Sequence, residues 1–283
     1  MHPAYNYIKQ AINGQYPDTE ASAIAKAILT DVFQLSTTDL YASKDMNFST
    51  NQAEKLEVII NRLRANEPLQ YILGNCYFCG LDFHVEPGVL IPRPETAELV
   101  EWIISDRKDN DSPIRILDIG TGSGCISISL AKNLPQSEVH AWDISEDAIR
   151  IASDNANRLD ANVRFRQTDV LGQVPTDTMT NVIVSNPPYI TEAERTDMDA
   201  NVTDWEPDTA LFVPDNAPLL FYERIADIGK QILTPDGTLY FEINQRFGTE
   251  TVDMLRKKGY RNVELRKDLS GNDRMIKAER PWL

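Results

Sequence analysis

Cysteine and histidine are scarce in this chain of 283 residues, which contains three of each. An odd, small number of cysteines in a chain of this length is not a disulfide framework. Cys76 and Cys79 have the two-residue spacing of a zinc-binding pair, but no second pair follows to complete a site. We therefore predict reduced cysteines and no bound metal.

Long apolar runs are also missing. None approaches the ~20 residues that a membrane-spanning helix needs. Residues 1–15 are polar and lack the apolar stretch of a signal peptide. These two absences predict a cytoplasmic protein that has no membrane partner and works in the reducing cytosol.

Positive charge is in short supply, because 28 lysines and arginines face 43 aspartates and glutamates, for a net charge of -15. A protein of this charge repels phosphate backbones, so we expect no direct nucleic-acid partner. One basic stretch lies near the end of the chain. Solvated faces of a helix and a closing hairpin explain it more simply than a binding patch does. Its members are Arg256, Lys257, Lys258, Arg261, Arg266, Lys267, Arg274, Lys277 and Arg280.

The remaining composition is that of a globular protein, with 42% hydrophobic and 25% charged residues. This length allows one large domain and one small domain. Residues 1–74 carry apolar side chains at helical spacing and are predicted to form a small all-α bundle. Residues 75–93, rich in aromatic residues and glycine, are predicted to form a hairpin linker. Residues 94–283 form the predicted large domain.

Strands and helices are predicted to alternate in the large domain, after a first helix that starts at Pro94. Predicted strands cover residues 114–119, 139–144, 163–168, 181–185 and 237–243. Predicted helices cover residues 124–133, 146–158, 216–233 and 248–258. Two further apolar runs, 259–267 and 273–279, are separated only by a turn. The predicted fold class is α/β, with a Rossmann-like, mostly parallel sheet and an antiparallel C-terminal strand.

A glycine-rich loop follows the first of these strands. Its G-x-G-x-G spacing departs from the G-x-G-x-x-G of dinucleotide enzymes, and Asp118 precedes it. An aspartate there would repel a pyrophosphate, whereas it suits the cationic amino-acid end of S-adenosylmethionine, directly or through water. We therefore favour the methyl donor over NAD. The predicted cofactor-binding residues in this loop are Asp118, Gly120, Thr121, Gly122, Ser123 and Gly124.

Two further positions are predicted to bind the cofactor. Asp143 ends the next strand, where a carboxylate accepts hydrogen bonds from ribose hydroxyls. Its simpler role is a negative charge at the start of the following helix, and the two roles are compatible. Val170 follows the third strand and is predicted to lie along the adenine edge.

The sequence Asn186-Pro187-Pro188-Tyr189 follows a predicted strand. All four residues are predicted to bind the substrate, and Asn186, Pro187 and Tyr189 are predicted to be catalytic. The Asn186 side-chain carbonyl and the Pro187 backbone carbonyl are two acceptors for the hydrogens of a planar NH₂ group. Holding both hydrogens directs the nitrogen lone pair at the methyl group and stabilises the charge that develops on nitrogen. Tyr189 is expected to stack on the planar group. Adenine N6, guanine N2 and a glutamine amide all remain candidate acceptors.

The chain resembles the release-factor glutamine N5-methyltransferases nearly from end to end. The resemblance includes residues 67–74 (Glu-Pro-Leu-Gln-Tyr-Ile-Leu-Gly), 90–96 (Leu-Ile-Pro-Arg-Pro-Glu-Thr), the loop 118–124, the segment 185–190 and residues 268–274. It implies a class I methyltransferase domain and a helical domain that docks the release factor. It also implies that Asn186 to Tyr189 hold the glutamine of a Gly-Gly-Gln loop, that Asn186 binds the cofactor as well, and that the protein releases S-adenosyl-L-homocysteine. We expect a monomer.

Two departures from the family pattern limit what is carried over. Val170 stands where the family often has an aromatic residue, and Ala97 stands where a second acidic residue is common. The alternative function is methylation of an exocyclic amino group of a nucleic acid. A cofactor-binding adaptor without catalysis is a third reading, against which Asn186 speaks. Glu242, within a predicted strand, has either a structural role or a place in the site.

Overall fold

A computed structural model describes residues 2–42, 48–108, 112–176 and 178–281. The helices are α1 (Pro3–Ala11), α2 (Asp18–Ala27), α3 (Thr37–Ala42), α4 (Thr50–Arg64), α5 (Leu69–Leu73), α6 (Pro94–Arg107), α7 (Cys125–Asn133), α8 (Glu146–Arg158), α9 (Ala200–Thr203), α10 (Asp208–Leu211), α11 (Leu220–Ile232) and α12 (Gly248–Lys257). The strands are β1 (Asn75–Phe78), β2 (Leu81–His84), β3 (Ile114–Ile119), β4 (Ser137–Asp143), β5 (Val163–Gln167), β6 (Thr180–Ser185), β7 (Ile190–Thr191), β8 (Phe212–Val213), β9 (Leu233–Glu242), β10 (Arg261–Lys267) and β11 (Asp273–Glu279). Among the described residues, no helix combines the length and apolarity that crossing a membrane requires.

These elements form two compact units. The first unit contains the described residues up to Asn75 together with Asp199–Trp205, and the second contains the rest. In the first unit, α4 begins with a capping box between Ser49 and Gln52, which satisfies backbone N–H groups at the helix start. The helices bury one apolar cluster, whose members include Ile8, Ile24, Ile28, Leu29, Leu56, Ile59, Ile60 and Leu63.

The segment Asp199–Trp205 belongs to the first unit although it lies far along the chain. Trp205 donates its indole N–H to the carbonyl oxygen of Ala65 over 3.1 Å. A tryptophan N–H needs such an acceptor when its ring packs against protein. The first unit is therefore assembled from two separate stretches of the sequence.

The second unit is built on a seven-stranded sheet with the order β10-β11-β9-β6-β3-β4-β5. β9, β6, β3, β4 and β5 pair in parallel, and β11 pairs antiparallel with both of its neighbours. The predicted α/β fold class, with a mostly parallel sheet and an antiparallel C-terminal strand, is therefore confirmed. β11 lies between β9 and β10, so the last strand of the chain is internal and β10 forms the edge.

Helices cover both faces of this sheet. Successive residues of a strand point to opposite faces, so Ile116 packs with α6 and α7, whereas Leu117 packs with α11 and α12. This burial on both faces explains why the central strands are almost continuously apolar in sequence. Residues 190–213, for which the sequence pattern predicted no element, contain β7, β8, α9 and α10, all of which are too short to show a periodicity.

The order of the strands locates the site. After β3 the chain continues outward through β4 and β5, and it then returns to the other side of β3 to form β6. Such a reversal leaves a crevice at the carboxyl ends of the strands on either side of it. The glycine-rich loop follows β3, Asp143 is the last residue of β4, and Asn186 follows β6, so all three reach that edge.

Candidate active site

A cavity of about 330 Å³ lies at this edge of the sheet, within the second unit. This is the size of a small-molecule site. The predicted site residues that line it are Gly120, Thr121, Gly122, Ser123, Asp143, Val170, Asn186, Pro187 and Pro188. Asp118, Gly124 and Tyr189 do not line it.

The glycines of the loop have two different functions. Gly122 has a φ of +54°, and a Cβ atom added there would meet nothing within 4 Å, so its Cα faces the open cavity. Gly124 has a φ of +82°, and a Cβ atom would lie only 2.8 Å from Ile128 Cδ1 and 3.1 Å from Ala152 Cβ. Gly122 therefore leaves room for a ligand, whereas Gly124 allows α7 and α8 to pack closely behind the loop.

Asp118 lies behind the loop and is fully buried. Its Oδ2 accepts hydrogen bonds from the Thr121 hydroxyl (2.7 Å) and the Ser127 backbone N–H (3.2 Å). Its Oδ1 has no hydrogen-bond partner within the described part of the chain. Burial raises the pKa of this carboxyl to about 7. Asp118 therefore holds the loop in shape, and a direct contact with a ligand stays a prediction.

Asp118→Asn is expected to change how stability depends on pH. A folded-state pKa of about 7 lies above the ordinary aspartate value of ~3.9. The stability contributed by this carboxyl is then complete below about pH 4 and is lost as the pH rises towards about 7. Over that interval the wild-type protein should lose unfolding free energy relative to the variant, approaching about 1.4 kcal/mol per pH unit. Denaturant titrations across that range measure this, and parallel profiles would refute it.

Asp143, at the end of β4, is hydrogen-bonded to the glycine-rich loop that follows β3. Its Oδ2 accepts the Gly122 backbone N–H and its Oδ1 accepts the Ser145 backbone N–H, both over 2.9 Å. Ser145 in turn caps α8 by accepting the Ala148 N–H. Burial raises the pKa of Asp143, and the backbone hydrogen bonds oppose that rise. The carboxylate is thus held at the cavity wall with lone pairs left for a ligand.

The wall beyond Asp143 is apolar. Val170 lines the cavity, and its carbonyl oxygen accepts a hydrogen bond from Arg224 Nε over 2.8 Å, which anchors this loop to α11. Phe221, also on α11, supplies an aromatic ring to the cavity. The sequence shows that position 170 lacks the aromatic residue common in the family. It does not indicate Phe221, which is distant in sequence and has no motif around it.

Asn186, which also lines the cavity, donates from Nδ2 to the Thr96 hydroxyl oxygen over 3.2 Å. Thr96 donates its own proton to Glu242 Oε2 over 2.6 Å. Tyr189 donates its hydroxyl to Glu242 Oε1 over 3.1 Å. Elsewhere in the described residues no donor contacts Asn186 Oδ1 or the Pro187 carbonyl oxygen. These two acceptors therefore remain free for a ligand.

Glu242 is almost fully buried, and burial raises its pKa. Its position accounts for a residue whose role the sequence left open: it accepts hydrogen bonds from Thr96 and Tyr189. The Tyr189 ring is half-buried and does not line the cavity, so its stacking on a substrate stays a prediction.

A second buried carboxylate supports the same wall. Glu206 accepts the backbone N–H of Ile91 over 3.1 Å and pairs with the Arg93 guanidinium. Burial raises the pKa of Glu206, and the positive charge of Arg93 opposes the rise. Pro92 and Pro207, which are adjacent to these residues, line the cavity. Arg93 thus has a structural partner, which no local sequence signal indicated.

The fold and this site define a class I methyltransferase. Residues 100–203 match the family model described as "Methyltransferase small domain", and residues 4–74 match the one described as "PrmC N-terminal domain". Release factor glutamine methyltransferase of Bacteroides thetaiotaomicron is 52% identical over 97% of this chain and 98% of its own length. The relative of the same name in Flavobacterium psychrophilum is 44% identical over 95% of each chain. The chain therefore belongs to the release factor glutamine methyltransferase family, as predicted.

A solved structure supports the fold alone. It is the T. thermophilus 16S rRNA N2 G1207 methyltransferase in complex with AdoMet and guanosine, at 16% sequence identity and a TM-score of 0.54. The similarity covers 73% of this chain and 49% of that one. The prediction that this chain is a methyltransferase is confirmed by its family.

Proposed function

We propose that this protein transfers a methyl group from S-adenosylmethionine to the side-chain amide nitrogen of the glutamine in the Gly-Gly-Gln motif of peptide chain release factors. The products are N5-methylglutamine and S-adenosyl-L-homocysteine. The observation that carries the proposal is one cavity whose lining contains a carboxylate, Asp143, together with Asn186 and Pro187, which carry two free carbonyl acceptors. Family membership supports the same substrate.

The lining of the cavity fits the methyl donor. Asp143 would accept the ribose hydroxyls, and the open face of Gly122 would lie against the amino-acid end. The apolar wall, which includes Ile144, Val170 and Phe221, suits an adenine ring. Asp118 would act on the cationic end through its charge from behind the loop. When bound, S-adenosylmethionine supplies an electrophilic methyl group.

The chain's own residues orient the acceptor. Asn186 Oδ1 and the Pro187 carbonyl oxygen would each accept one hydrogen of the glutamine NH₂ group. The paired prolines stiffen the backbone, so the two acceptors keep their directions without further ordering. Holding both hydrogens presents the nitrogen lone pair to the cofactor side of the cavity, and positioning of this kind supplies a large part of a rate enhancement.

The same two acceptors stabilise charge. Positive charge develops on the amide nitrogen during transfer, and carbonyl oxygens that already point at its hydrogens stabilise that charge without reorganising. The acceptor nitrogen loses its proton after transfer, so no general base is needed beforehand. The apolar walls exclude water from this step, and Tyr189 would close over the planar group.

Each part of the chain has a proposed role in this reaction. Residues 1–74 would dock the release factor, residues 75–93 would link the two parts, and residues 94–283 would carry the catalytic site. The protein would act as a monomer in the cytoplasm and require no metal. None of these assignments needs a nucleic acid as a direct partner.

A methylation assay with a radiolabelled methyl donor tests this function. The protein is incubated with a purified release factor, with the same factor carrying asparagine in place of the Gly-Gly-Gln glutamine, and with duplex DNA. We expect one methyl group per wild-type factor and none on the other two. Labelling of DNA alone would instead support the alternative, a nucleic-acid amino-methyltransferase.

A further inference from the structure

Two hydrogen bonds link Asn186, Thr96 and Glu242, and both donate towards Glu242. We call this pair of bonds the relay. Glu242 Oε2 accepts from the Thr96 hydroxyl (2.6 Å), and the Thr96 oxygen accepts from Asn186 Nδ2 (3.2 Å). Glu242 and Thr96 are 1% and 2% exposed, so bulk solvent has little access to these groups, and Thr96 lines the cavity. Each bond therefore depends on the donor and acceptor capacity of its neighbour.

The number of protons available in the relay determines the orientation of the Asn186 amide. A threonine hydroxyl has one proton, and here the carboxylate of Glu242 receives it. Thr96 then offers only lone pairs to Asn186, so the Asn186 NH₂ group must face Thr96. A flipped amide would place Oδ1 against those lone pairs with no proton between them, which leaves buried polar groups unsatisfied.

We propose that Glu242 and Thr96 are positioning residues that hold the Asn186 amide with its oxygen towards the acceptor, so that the site accepts an NH₂ group and rejects a group that brings only lone pairs. This inference rests on the proposed function of Asn186 as an acceptor for the glutamine amide. It assigns Glu242 a role in the choice of substrate, although this residue does not line the cavity.

The surroundings of Glu242 supply one hydroxyl donor to each of its carboxyl oxygens. Tyr189 donates to its second oxygen over 3.1 Å, so both oxygens have a donor. Burial raises the pKa of Glu242 and the negative charge of Glu95 adds to the rise, while the hydrogen bonds from Thr96 and Tyr189 and the positive charge of Arg274 oppose it. Arg274 is itself held by an ion pair with Asp268 over 3.2 Å. Both hydroxyl donors thus point inward to one acceptor group.

Substitutions at Thr96 test the relay. Thr96→Val keeps the shape but removes the acceptor for Asn186, and we expect kcat to fall about 10- to 100-fold because the amide loses its orientation. Thr96→Ser restores the hydroxyl and should recover most of that loss. Thr251→Val is the matched control, because Thr251 is also a buried threonine whose hydroxyl donates to a carbonyl, that of Phe247, over 2.7 Å. It should cost stability without lowering kcat.

Glu242→Gln tests the direction of the hydrogen bonds in the relay, because glutamine and glutamate have almost the same shape. If Tyr189 donates to the new amide oxygen, the new NH₂ group faces Thr96, and Thr96 then turns its proton towards Asn186. The Asn186 amide would flip and present NH₂ to the substrate. We expect kcat for the release factor to fall about 10- to 100-fold, while the Kd for S-adenosylhomocysteine stays unchanged.

A measurement independent of catalysis separates this inference from the proposed function. In ¹⁵N-labelled protein, the side-chain NH₂ signal of Asn186 is identified by its loss in Asn186→Asp. Slow hydrogen exchange of this group in the wild type, and faster exchange in Thr96→Val but not in Thr251→Val, would support the relay. The wild-type result holds even if no release factor is methylated, in which case only the proposed function fails. Wild-type kcat in both Thr96→Val and Glu242→Gln, or unchanged exchange in Thr96→Val, would overturn the inference.

Discussion

Replacing Asn186 with alanine is expected to lower kcat for release-factor methylation by about 10²- to 10³-fold. The substitution removes the side-chain acceptor that holds one hydrogen of the glutamine amide, while the Pro187 carbonyl remains. The expected loss is in turnover, because Asp143 and the loop at Gly122 do not depend on the Asn186 side chain for their hydrogen bonds. Single-turnover assays give the rate, and isothermal titration with S-adenosylhomocysteine gives the Kd.

Asn181→Ala, on the strand that precedes Asn186, provides a matched control. The Asn181 side chain accepts the Arg115 backbone N–H over 2.8 Å and does not line the cavity. Its loss should reduce stability by about 1 kcal/mol, the usual contribution of one hydrogen bond, and leave kcat unchanged. Equal turnover in Asn186→Ala and the wild type would remove Asn186 from the mechanism. A large loss of affinity for S-adenosylhomocysteine would make it mainly a cofactor ligand.

Replacing Gly122 with alanine is expected to weaken binding of S-adenosylmethionine by about 10- to 100-fold, the equivalent of 1–3 kcal/mol of overpacking. A Cβ atom at this position would project into open cavity space, where the ligand would otherwise lie. The positive φ of +54° adds a backbone cost that affects folding rather than binding. The Kd measured by titration isolates the first effect.

Gly271→Ala separates the two effects. Gly271 also has a positive φ, +87°, and open space around its Cα, but it lies in the turn between β10 and β11. In both variants the backbone strain should lower the free energy of unfolding by about 1–2 kcal/mol. Both should therefore unfold at a lower denaturant concentration than the wild type. Only Gly122→Ala should lose affinity for the methyl donor. If both variants bound it as the wild type does, the ligand would not approach the loop at Gly122.

The wall of the cavity also shows how a buried charge is used for structure. Asp118, Glu206 and Glu242 are all buried acidic side chains. Glu206 and Glu242 accept hydrogen bonds from residues distant in sequence, whereas Asp118 accepts one from Thr121 within its own loop. A buried carboxylate is costly unless it is hydrogen-bonded, so each one holds its neighbours in a narrow range of positions. The result is a rigid frame around a small cavity, which suits a reaction that relies on positioning.

The sequence by itself determined the central sheet and the motifs at its edge. Apolar runs of strand length, separated by amphipathic stretches, leave few alternatives to a parallel sheet with helices on both faces, and Ile116 and Leu117 confirm burial on both sides. The loop at Gly122 and Asn186 each follow a strand, and Asp143 ends one, so a parallel sheet must bring them to one edge. Local chemistry and periodicity were enough for these conclusions.

Only the tertiary structure decided which distant residues complete the site. Thr96 and Glu242 are separated by 146 positions, yet their side chains form a hydrogen bond, and Thr96 also accepts one from Asn186. Phe221 reaches the cavity from a helix whose sequence pattern reports only its buried face. Hydrogen bonds of this kind depend on positions to within a fraction of an ångström, which the packing of the whole domain sets and which no local sequence pattern encodes.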